Sequence, residues 1–169
     1  MKISRAHLVQ KLKKIKLIGF DFDGVFTDAK VLLNQDGVET VICSRRDGLG
    51  INELKRLGIK LVVVSKERNP VVSKRCEKLK IECAQGIDDK LSIFKQTLKK
   101  QGLNPQQAAF MGDDFNDLDC MIYGGVAFTV ADAHPDCKKI AHYITKRKGG
   151  DHAVKEVCDL IISIKSQSR

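Results

Sequence analysis

The stretch that decides the fold is LIGFDFDGVFTD, residues 17–28. Apolar residues fill nearly every position of its first part, a pattern that predicts a short strand buried on both faces. Asp21 and Asp23 come at the end of that strand, and Gly24 suits a sharp exit from it. We therefore expect two carboxylates at the carboxyl end of a strand, where open α/β sheets place their ligands.

Two carboxylates so close together repel each other unless a cation or a shared proton holds them. Magnesium, a hard ion that takes oxygen ligands, is the expected cation. The alternative is that Asp21 and Asp23 are turn formers whose side chains bond to their own backbone. An EF-hand loop fits poorly, because Val25 stands where such a loop needs Asp or Asn and the glycine comes too early.

The composition limits the class of protein. With 169 residues, 43% hydrophobic and 30% charged, the chain is expected to form one globular domain over residues 1–169. The formal charge of +9 is compatible with a small anionic ligand. Nucleic-acid binding is not expected, because the basic residues are dispersed rather than gathered with aromatic residues in one stripe.

The cysteines and the amino-terminal segment bear on the cellular compartment. The six cysteines form no C-x-x-C pair and no zinc pattern, so we expect reduced thiols, most of them in apolar surroundings. Residues 1–16 contain no apolar stretch long enough for a signal peptide or a membrane span. The sequence therefore predicts a cytoplasmic protein with no membrane partner.

A hairpin is predicted directly after the first strand, over about residues 29–44. Two runs rich in β-forming residues are separated by Gln35-Asp36-Gly37, and Asp-Gly between such runs is a typical hairpin turn. We expect this hairpin to project over the site or to contact another subunit.

Strands and helices alternate in the rest of the predicted structure. Asp88 is predicted to cap one helix, and Gly149-Gly150 to form a flexible hinge before the last helix, within a tail of about residues 146–169. The strands predicted after the hairpin are residues 59–64, 81–84, 108–112, 125–128 and 143–144. This alternation indicates a single doubly wound, Rossmann-like α/β domain with a mainly parallel sheet and no large cap domain.

Other polar side chains fall where predicted strands end, or in the loops beside those ends. They are Ser65, Lys90, Asp113, Asp114 and Asp117. Because such ends meet at one edge of a parallel sheet, these groups should join Asp21 and Asp23. Acids that hold a metal, a carboxylate nucleophile, a hydroxyl and an ammonium are what phosphoryl transfer requires. Taken singly, each of these residues is at least as well explained as a helix cap, a turn residue or a solvated charge as by a catalytic role. Their joint occurrence at strand ends favours a phosphoryl-transfer site.

The motifs resemble those of the haloacid dehalogenase-like phosphatases, over nearly the whole chain. The first motif of that superfamily, Asp-x-Asp-Gly-x-x-Thr/Ser-Asp, matches Asp21, Asp23, Gly24, Thr27 and Asp28. The hydroxyl of the second motif matches Ser65, and the lysine of the third matches Lys90. The fourth motif, Gly-Asp-Asp-x-x-Asp, matches residues 112–117. The resemblance implies Mg²⁺-dependent hydrolysis of a phosphomonoester.

The resemblance also implies a role for each matching residue. Asp21 is the expected nucleophile, which forms an aspartyl-phosphate, and Asp23 the expected acid and base. Mg²⁺ is expected on Asp21, on the backbone carbonyl of Asp23 and on Asp113. Ser65 and Lys90 are expected to bind the phosphate. Asp114 and Asp117 are expected to hold the metal and phosphate ligands in position without contacting the metal ion, Asp117 by orienting Lys90.

Within that superfamily the chain is most similar to the 3-deoxy-D-manno-octulosonate 8-phosphate (KDO 8-phosphate) phosphatases. The similarity rests on the small size, on the hairpin in place of a large cap, and on the stretches RDGLG (46–50), VADAHP (130–135) and AVKEVCDL (153–160). It implies a sugar-acid phosphate of lipopolysaccharide synthesis as substrate. It also implies a homotetramer built through the hairpins, in which neighbouring subunits complete each site. The residues expected to select the substrate are Thr27, Asp28, Arg46, Arg147 and Lys148, the last two from a tail that can reach a neighbour.

Glu67 and Lys78 depart from the pattern of that family. Its members usually have Ser/Thr-Gly-Arg where this chain has Ser65-Lys66-Glu67. Glu67 with Lys78 eleven residues later is similar to the pair in relatives that act on nine-carbon, sialic-type 9-phosphates. The nine-carbon substrate is therefore an alternative. A phosphatase-like tetramerisation module without activity and a receiver domain are two further alternatives, although every catalytic acid of the motifs is present.

Overall fold

Eight strands and seven α-helices make up residues 3–166, the part of the chain that the computed structural model describes. The strands are β1 (Leu17–Phe20), β2 (Leu32–Leu33), β3 (Glu39–Thr40), β4 (Lys60–Val64), β5 (Glu82–Ala84), β6 (Ala108–Met111), β7 (Val126–Thr129) and β8 (Tyr143–Ile144). The helices are α1 (Arg5–Lys14), α2 (Arg45–Arg56), α3 (Val71–Leu79), α4 (Lys90–Lys100), α5 (Leu118–Tyr123), α6 (Pro135–Ile140) and α7 (Ala153–Ser166). Short 3₁₀ turns at Pro105–Gln107 and Phe115–Asp117 lead into β6 and α5.

Six strands form one sheet in the order β5-β4-β1-β6-β7-β8, and every neighbouring pair is parallel. The central strand β1 is buried along its whole length, because it carries an apolar residue or glycine at each position between two other strands. The chain proceeds from β1 to β5 on one side and then returns to β6 on the other. The carboxyl ends of β1 and β6 therefore form the switch point at which sheets of this kind place ligands.

Helices cover both faces of this sheet. Contacts join α1, α2, α3 and α7 in one group, and α4, α5 and α6 in another. Since crossovers between parallel strands are right-handed, the reversal of direction after β5 puts the two groups on opposite faces. The predicted α/β class, doubly wound around a mainly parallel sheet, is confirmed. Among residues 3–166, no helix combines the length and the apolar character needed to cross a membrane.

The hairpin is present after β1, but its ladder is short. β2 and β3 pair antiparallel over two residues each. The side chain of Asn34 closes the turn by accepting hydrogen bonds from the N–H groups of Asp36 and Val38. Large apolar side chains on the hairpin face solvent, with Leu32 and Leu33 65% and 64% exposed. Among the described residues, β2 and β3 are the strands that lie between β1 and α2, so no large cap domain is inserted there.

The cysteines carry free thiols. Cys43 is half-buried and Cys83 exposed, and the other four are buried among apolar side chains. Burial, followed by the charge of Asp117, raises the pKa of Cys120 to about 12. Thiols of this kind pack as small apolar groups and are poor nucleophiles.

The start of α4 differs from the prediction by one residue. Asp89, rather than Asp88, caps this helix, and its carboxylate accepts a hydrogen bond from the Ser92 N–H at 3.0 Å. Asp88 instead lies in an exposed contact with Lys66, 3.9 Å away. Lys90 is consequently the first residue of the helix. The polar pattern predicts that a cap is present but does not distinguish between two adjacent aspartates.

The Gly149-Gly150 pair is packed rather than hinge-like. A Cβ on Gly149 would lie 1.9 Å from the carbonyl oxygen of Gly24, so only glycine fits there. The Gly150 N–H donates to the carbonyl of Val25 at 3.1 Å. These glycines bring the last loop against the loop that follows β1. The final residues of the predicted tail, 167–169, lie outside the described residues.

Candidate active site

An acidic cluster lies at the carboxyl edge of the sheet, where β1 and β6 end. Asp21 follows β1 directly, Asp113 and Asp117 follow β6, and one carboxylate oxygen from each lies within 4.8 Å of the other two. The Asp21 N–H donates to the carbonyl of Met111 at 2.9 Å, so the sheet bonding continues past β1 and fixes this spacing. Three carboxylates so close together create a site whose negative charge favours a hard divalent cation.

Lys90 reaches into the acidic cluster from the first turn of α4. Its Nζ lies 2.8 Å from Asp21 Oδ1 and 2.8 Å from Asp117 Oδ1. The Lys90 side chain is only 2% exposed, so these ion pairs are shielded from solvent. Three carboxylates and one ammonium leave two negative charges. That remainder equals the charge of one divalent cation, so the residues present fit an ion such as Mg²⁺.

Burial and mutual repulsion disfavour the ionised carboxyls of the cluster. Burial, followed by the charges of Asp117 and Asp114, raises the pKa of Asp113 to about 7. Burial and then Asp117 also raise the pKa of Asp21, while Lys90 acts in the opposite direction. A divalent cation would favour the charged forms and reverse these shifts. The raised pKa values of Asp21 and Asp113 and the close spacing of the three carboxylates therefore both indicate a cation within the acidic cluster.

Two glycines make room for the cluster. A Cβ on Gly24 would lie 1.9 Å from Asp113 Oδ2, and Gly24 also has a φ of +78°, which other residues rarely adopt. A Cβ on Gly112 would lie 2.3 Å from the Cβ of Asp117. The glycines of the first and fourth motifs thus allow close approach of the acids that follow β6.

Asp117 holds its neighbours in place with both carboxylate oxygens. Its Oδ1 accepts from Lys90 Nζ, and its Oδ2 accepts from the N–H groups of Asp113 at 3.0 Å and Asp114 at 3.4 Å. Asp114 is exposed and caps the adjoining 3₁₀ turn by accepting from the Phe115 N–H. Neither residue therefore presents a free carboxylate toward the centre of the cluster in the way that Asp113 does.

Asp23 lies beside the cluster and is half-buried. The Thr27 hydroxyl donates to Asp23 Oδ1 at 3.2 Å and accepts from the N–H groups of Gly24 and Ala29. Burial raises the pKa of Asp23, the hydrogen bond from Thr27 lowers it, and the charge of Glu67 raises it further. Thr27 itself is fully buried. It is thus placed to orient Asp23 and is screened from a substrate.

Ser65 and Glu67 occupy the loop that follows β4. Ser65 is buried, and its Oγ accepts a hydrogen bond from the Glu67 N–H at 3.1 Å. The Glu67 carboxylate accepts from the N–H groups of Arg68 and Asn69, which folds this loop back on itself. The loop therefore presents a hydroxyl and a carboxylate next to the acids that follow β1.

Asp28 is brought close to the cluster. It lines a small cavity of about 120 Å³ together with Gly24, Asp113 and Gly149. Asp132 lines the same cavity and accepts from the Gly149 N–H at 3.0 Å. Asp132 belongs to the stretch VADAHP (130–135), and no motif of the sequence marks it as a site residue. Its contact depends on the final loop folding back over β1, which local sequence does not indicate.

The other expected specificity residues lie on separate surfaces of the molecule. Arg46 and Arg147 line a groove of about 340 Å³ between the starts of α2 and α7, and Lys148 is exposed in the same final loop as Arg147. Lys78 lines a different groove, between α2 and α3. Among the ion pairs of residues 3–166, none joins Lys78 to Glu67. Among residues 3–166, no hydrogen bond or ion pair joins these residues to the acidic cluster, although Lys148 directly precedes Gly149, which lines the same cavity as Asp113.

Known proteins match the chain over most of its length. Residues 65–157 match the model of the haloacid dehalogenase-like hydrolases. The 3-deoxy-D-manno-octulosonate 8-phosphate phosphatase KdsC of Yersinia pestis is 36% identical over 156 residues, 92% of this chain and 83% of that protein. The enzyme of the same name from Escherichia coli K12 is 35% identical over 93% of this chain and 84% of that protein.

A solved structure shares the fold closely. It is the 3-deoxy-D-manno-octulosonate 8-phosphate phosphatase of Moraxella catarrhalis, in complex with a magnesium ion, a phosphate ion and KDO. It superposes with a TM-score of 0.93 at 34% identity, over 97% of this chain and 95% of that one. With the sequence matches and the shared fold, the chain belongs to the haloacid dehalogenase-like hydrolases, in the family of the 3-deoxy-D-manno-octulosonate 8-phosphate phosphatases.

Proposed function

We propose that this phosphatase hydrolyses KDO 8-phosphate with Mg²⁺ as cofactor, by way of an aspartyl-phosphate. The observation that carries the proposal is the buried contact of Lys90 with Asp21 and Asp117, beside Asp113. The net charge of this group, minus two when all three acids are ionised, is balanced by one divalent cation. The relatives support the substrate, since the Y. pestis and E. coli proteins are named for KDO 8-phosphate. The M. catarrhalis structure contains KDO, phosphate and magnesium together.

Asp21, Asp113 and the backbone carbonyl of Asp23 are the proposed ligands of the magnesium ion. When bound, the ion supplies positive charge to the phosphoryl oxygens. The carboxylates of Asp21 and Asp113 belong to the acidic cluster, and the net charge of that cluster matches the ion. Asp117 is not a proposed ligand, because both of its oxygens are already engaged.

Asp21 is the proposed nucleophile. Its Oδ1 accepts from the Phe22 N–H at 2.7 Å and lies 2.8 Å from Lys90 Nζ, which fixes the plane of the carboxylate. Attack by a carboxylate oxygen forms a bond to phosphorus as the bond from phosphorus to the sugar oxygen breaks. Water then attacks the aspartyl-phosphate, which releases inorganic phosphate and restores Asp21.

Asp23 is the proposed proton donor and acceptor. Burial raises its pKa, so its protonated form persists to higher pH than that of an ordinary aspartate. It gives this proton to the departing sugar oxygen and takes one from the attacking water in the second step. The hydrogen bond from Thr27 sets the direction of its carboxyl group.

Ser65 and Lys90 are proposed to bind the phosphoryl oxygens. The Ser65 Oγ accepts a bond from the Glu67 N–H, which leaves its own proton for a phosphate oxygen. Lys90 is held by two carboxylates, so its ammonium needs no reorganisation when charge moves onto phosphorus. Both groups come from rigid positions at the end of β4 and the start of α4.

A homotetramer built through the hairpins is the proposed assembly. The hairpin presents a cluster of exposed large apolar side chains, Val31, Leu32, Leu33, Val38 and Ile42. Patches of this kind mark protein interfaces. Arg46 and Arg147 line one groove and Lys78 another, both distinct from the cavity that Asp113 lines, and we expect these residues to act on a neighbour's site in the tetramer. Light scattering on wild type and on Leu32→Glu tests this, and a variant as large as wild type would contradict it.

A nine-carbon sugar-acid 9-phosphate is the alternative substrate. The observation that favours it is Glu67, which replaces the usual arginine and whose charge reaches Asp23. Lys78 does not pair with Glu67 within residues 3–166, so this alternative needs a neighbouring subunit to supply the lysine. Comparison of kcat/KM for the two sugar-acid phosphates decides between them.

The catalytic assignment is tested with Asp21→Asn. We expect phosphate release from KDO 8-phosphate to require Mg²⁺, to stop in EDTA, and to fall by at least ~10³-fold in this variant. Asp119→Asn, which alters an exposed acid on α5, is the matched control and should keep full activity. Full activity in purified Asp21→Asn would contradict the assignment.

A further inference from the structure

A second pair of carboxylates lies beside Asp23, where the hairpin meets the loop after β4. The Asn69 Nδ2 donates to Glu39 Oε2 at 3.1 Å, and the Asn69 backbone N–H donates to Glu67 Oε1 at 2.7 Å. One residue thus holds two carboxylates that come from different segments of the chain. We call Glu39 and Glu67 the acidic rim.

The acidic rim lies at the same edge of the sheet as Asp23, because β4, which leads into the loop of Glu67, pairs in parallel with β1. The largest influence on the pKa of Asp23 is burial, which raises it, and the charges of Glu67 and Glu39 add to that rise. The charges of both rim carboxylates therefore act at the position of Asp23. Asp23 is the proposed donor to the departing oxygen, so the first atoms of the leaving group lie beside the rim.

The charges of the rim are not neutralised within the described part of the subunit. No ion pair among residues 3–166 includes Glu39 or Glu67. Their side chains accept hydrogen bonds from uncharged N–H groups of Arg68 and Asn69. Both side chains are half-buried, so solvent screens them less than it screens a fully exposed carboxylate.

We propose that Glu39 is a specificity residue, which with Glu67 rejects substrates that carry a carboxylate close to the phosphoester and accepts those that carry hydroxyls there. Carboxylates accept hydrogen bonds from hydroxyl groups and repel other anions. The inference rests on the proposed function, because the rim lies beside the leaving group only if Asp23 donates the proton to the departing oxygen. It implies that a sugar acid enters phosphate first, with its polyol chain along the rim and its own carboxylate at the far end.

Two pairs of simple substrates separate this selection from general affinity. Near the phosphoester, glycerol 3-phosphate carries a hydroxymethyl group where 3-phosphoglycerate carries a carboxylate. Sorbitol 6-phosphate and 6-phosphogluconate differ in the same way at the far end of a longer chain. With Mg²⁺ and phosphate release as the assay, we expect wild type to prefer glycerol 3-phosphate by roughly tenfold in kcat/KM and to treat the longer pair alike.

The variant Glu39→Gln isolates the charge of the rim. Glutamine keeps a carbonyl oxygen that accepts from Asn69 Nδ2, so the hairpin stays attached while the charge is lost. We expect the preference for glycerol 3-phosphate over 3-phosphoglycerate to fall roughly fivefold, because 3-phosphoglycerate is turned over faster. Glu82→Gln, an equal loss of charge on exposed β5, is the matched control and should leave the preference unchanged.

Two outcomes would overturn the proposal. A Glu39→Gln variant that alters both short substrates by the same factor would show that Glu39 only positions the hairpin, and the proposal would be wrong. If that variant does not fold, added salt tests the same point in wild type. Salt screens the charge of the rim and should weaken the preference for glycerol 3-phosphate over 3-phosphoglycerate. A preference that salt does not change would overturn the proposal. Failure of the proposed function has a different signature, namely phosphate release that survives in Asp21→Asn.

Discussion

Replacement of Asp113 by asparagine should stabilise the metal-free protein above neutral pH, although it removes a proposed ligand of the cation. Burial, followed by the charges of Asp117 and Asp114, raises the pKa of Asp113 from 3.8 to about 7. The folded chain therefore keeps a proton that the unfolded chain releases. The stability that this proton contributes is fully present below pH 3.8 and is lost as the pH rises through about 7.

The magnitude follows from the same two values. The difference between about 7 and 3.8, at 1.36 kcal/mol per pH unit, sets an upper limit of about 4 kcal/mol. Asp113 is only partly buried, so solvent screening reduces the expected effect to about 2 kcal/mol. Asparagine does not titrate, so the variant should exceed wild type by that amount at pH 8 and by less than half of it at pH 5, and the two should match only below pH 3.8.

Urea unfolding in EDTA, followed by circular dichroism from pH 5 to pH 8, measures this difference. Groups that titrate equally in both proteins cancel when the free energies of unfolding are subtracted. Mg²⁺ should then stabilise wild type more at pH 8 than at pH 5, and Asp113→Asn only slightly at either. An Asp113→Asn variant that is no more stable than wild type at pH 8 without metal would refute the reasoning about the cluster.

Three further changes test other parts of the site. Lys90→Met leaves buried carboxylates without their partner, so the free energy of unfolding in urea should fall by about 3–5 kcal/mol and kcat by at least ~10²-fold. Thr27→Val removes the hydrogen bond that lowers the pKa of Asp23, and the alkaline limb of kcat/KM should move to higher pH. Gly149→Ala places a Cβ against the Gly24 carbonyl and should cost about 1–3 kcal/mol in thermal unfolding, whereas Gly124→Ala, with ordinary contact distances, should be tolerated.

The sheet and the position of the acids could be predicted because they depend on local patterns. A buried apolar run that ends in Asp21 predicts both the strand and the edge on which the acid lies, and the run before Asp113 does the same for β6. The parallel arrangement then brings the two ends together without further information. Tyr143–Ile144, though only two residues long, also forms a strand where its apolar pattern predicts one.

The features that the sequence does not predict depend on contacts between distant segments. Glu39 and Asn69 are 30 residues apart, and nothing in either segment indicates their hydrogen bond. The spacing of Gly149 and Gly150 is equally compatible with a hinge, and only the closeness of Gly24 explains why glycine is needed. The distribution of Arg46, Lys78 and Arg147 over separate grooves likewise depends on how α2, α3 and α7 pack.

The central claim is that this chain uses Asp21 and Mg²⁺ to remove the phosphate of KDO 8-phosphate. The most direct measurement is kcat/KM for phosphate release with Mg²⁺ from KDO 8-phosphate and from a nine-carbon sialic-type 9-phosphate, side by side. We predict a clear preference for KDO 8-phosphate, abolished by EDTA and by Asp21→Asn. A preference for the nine-carbon substrate, or release from neither, would contradict the proposed function.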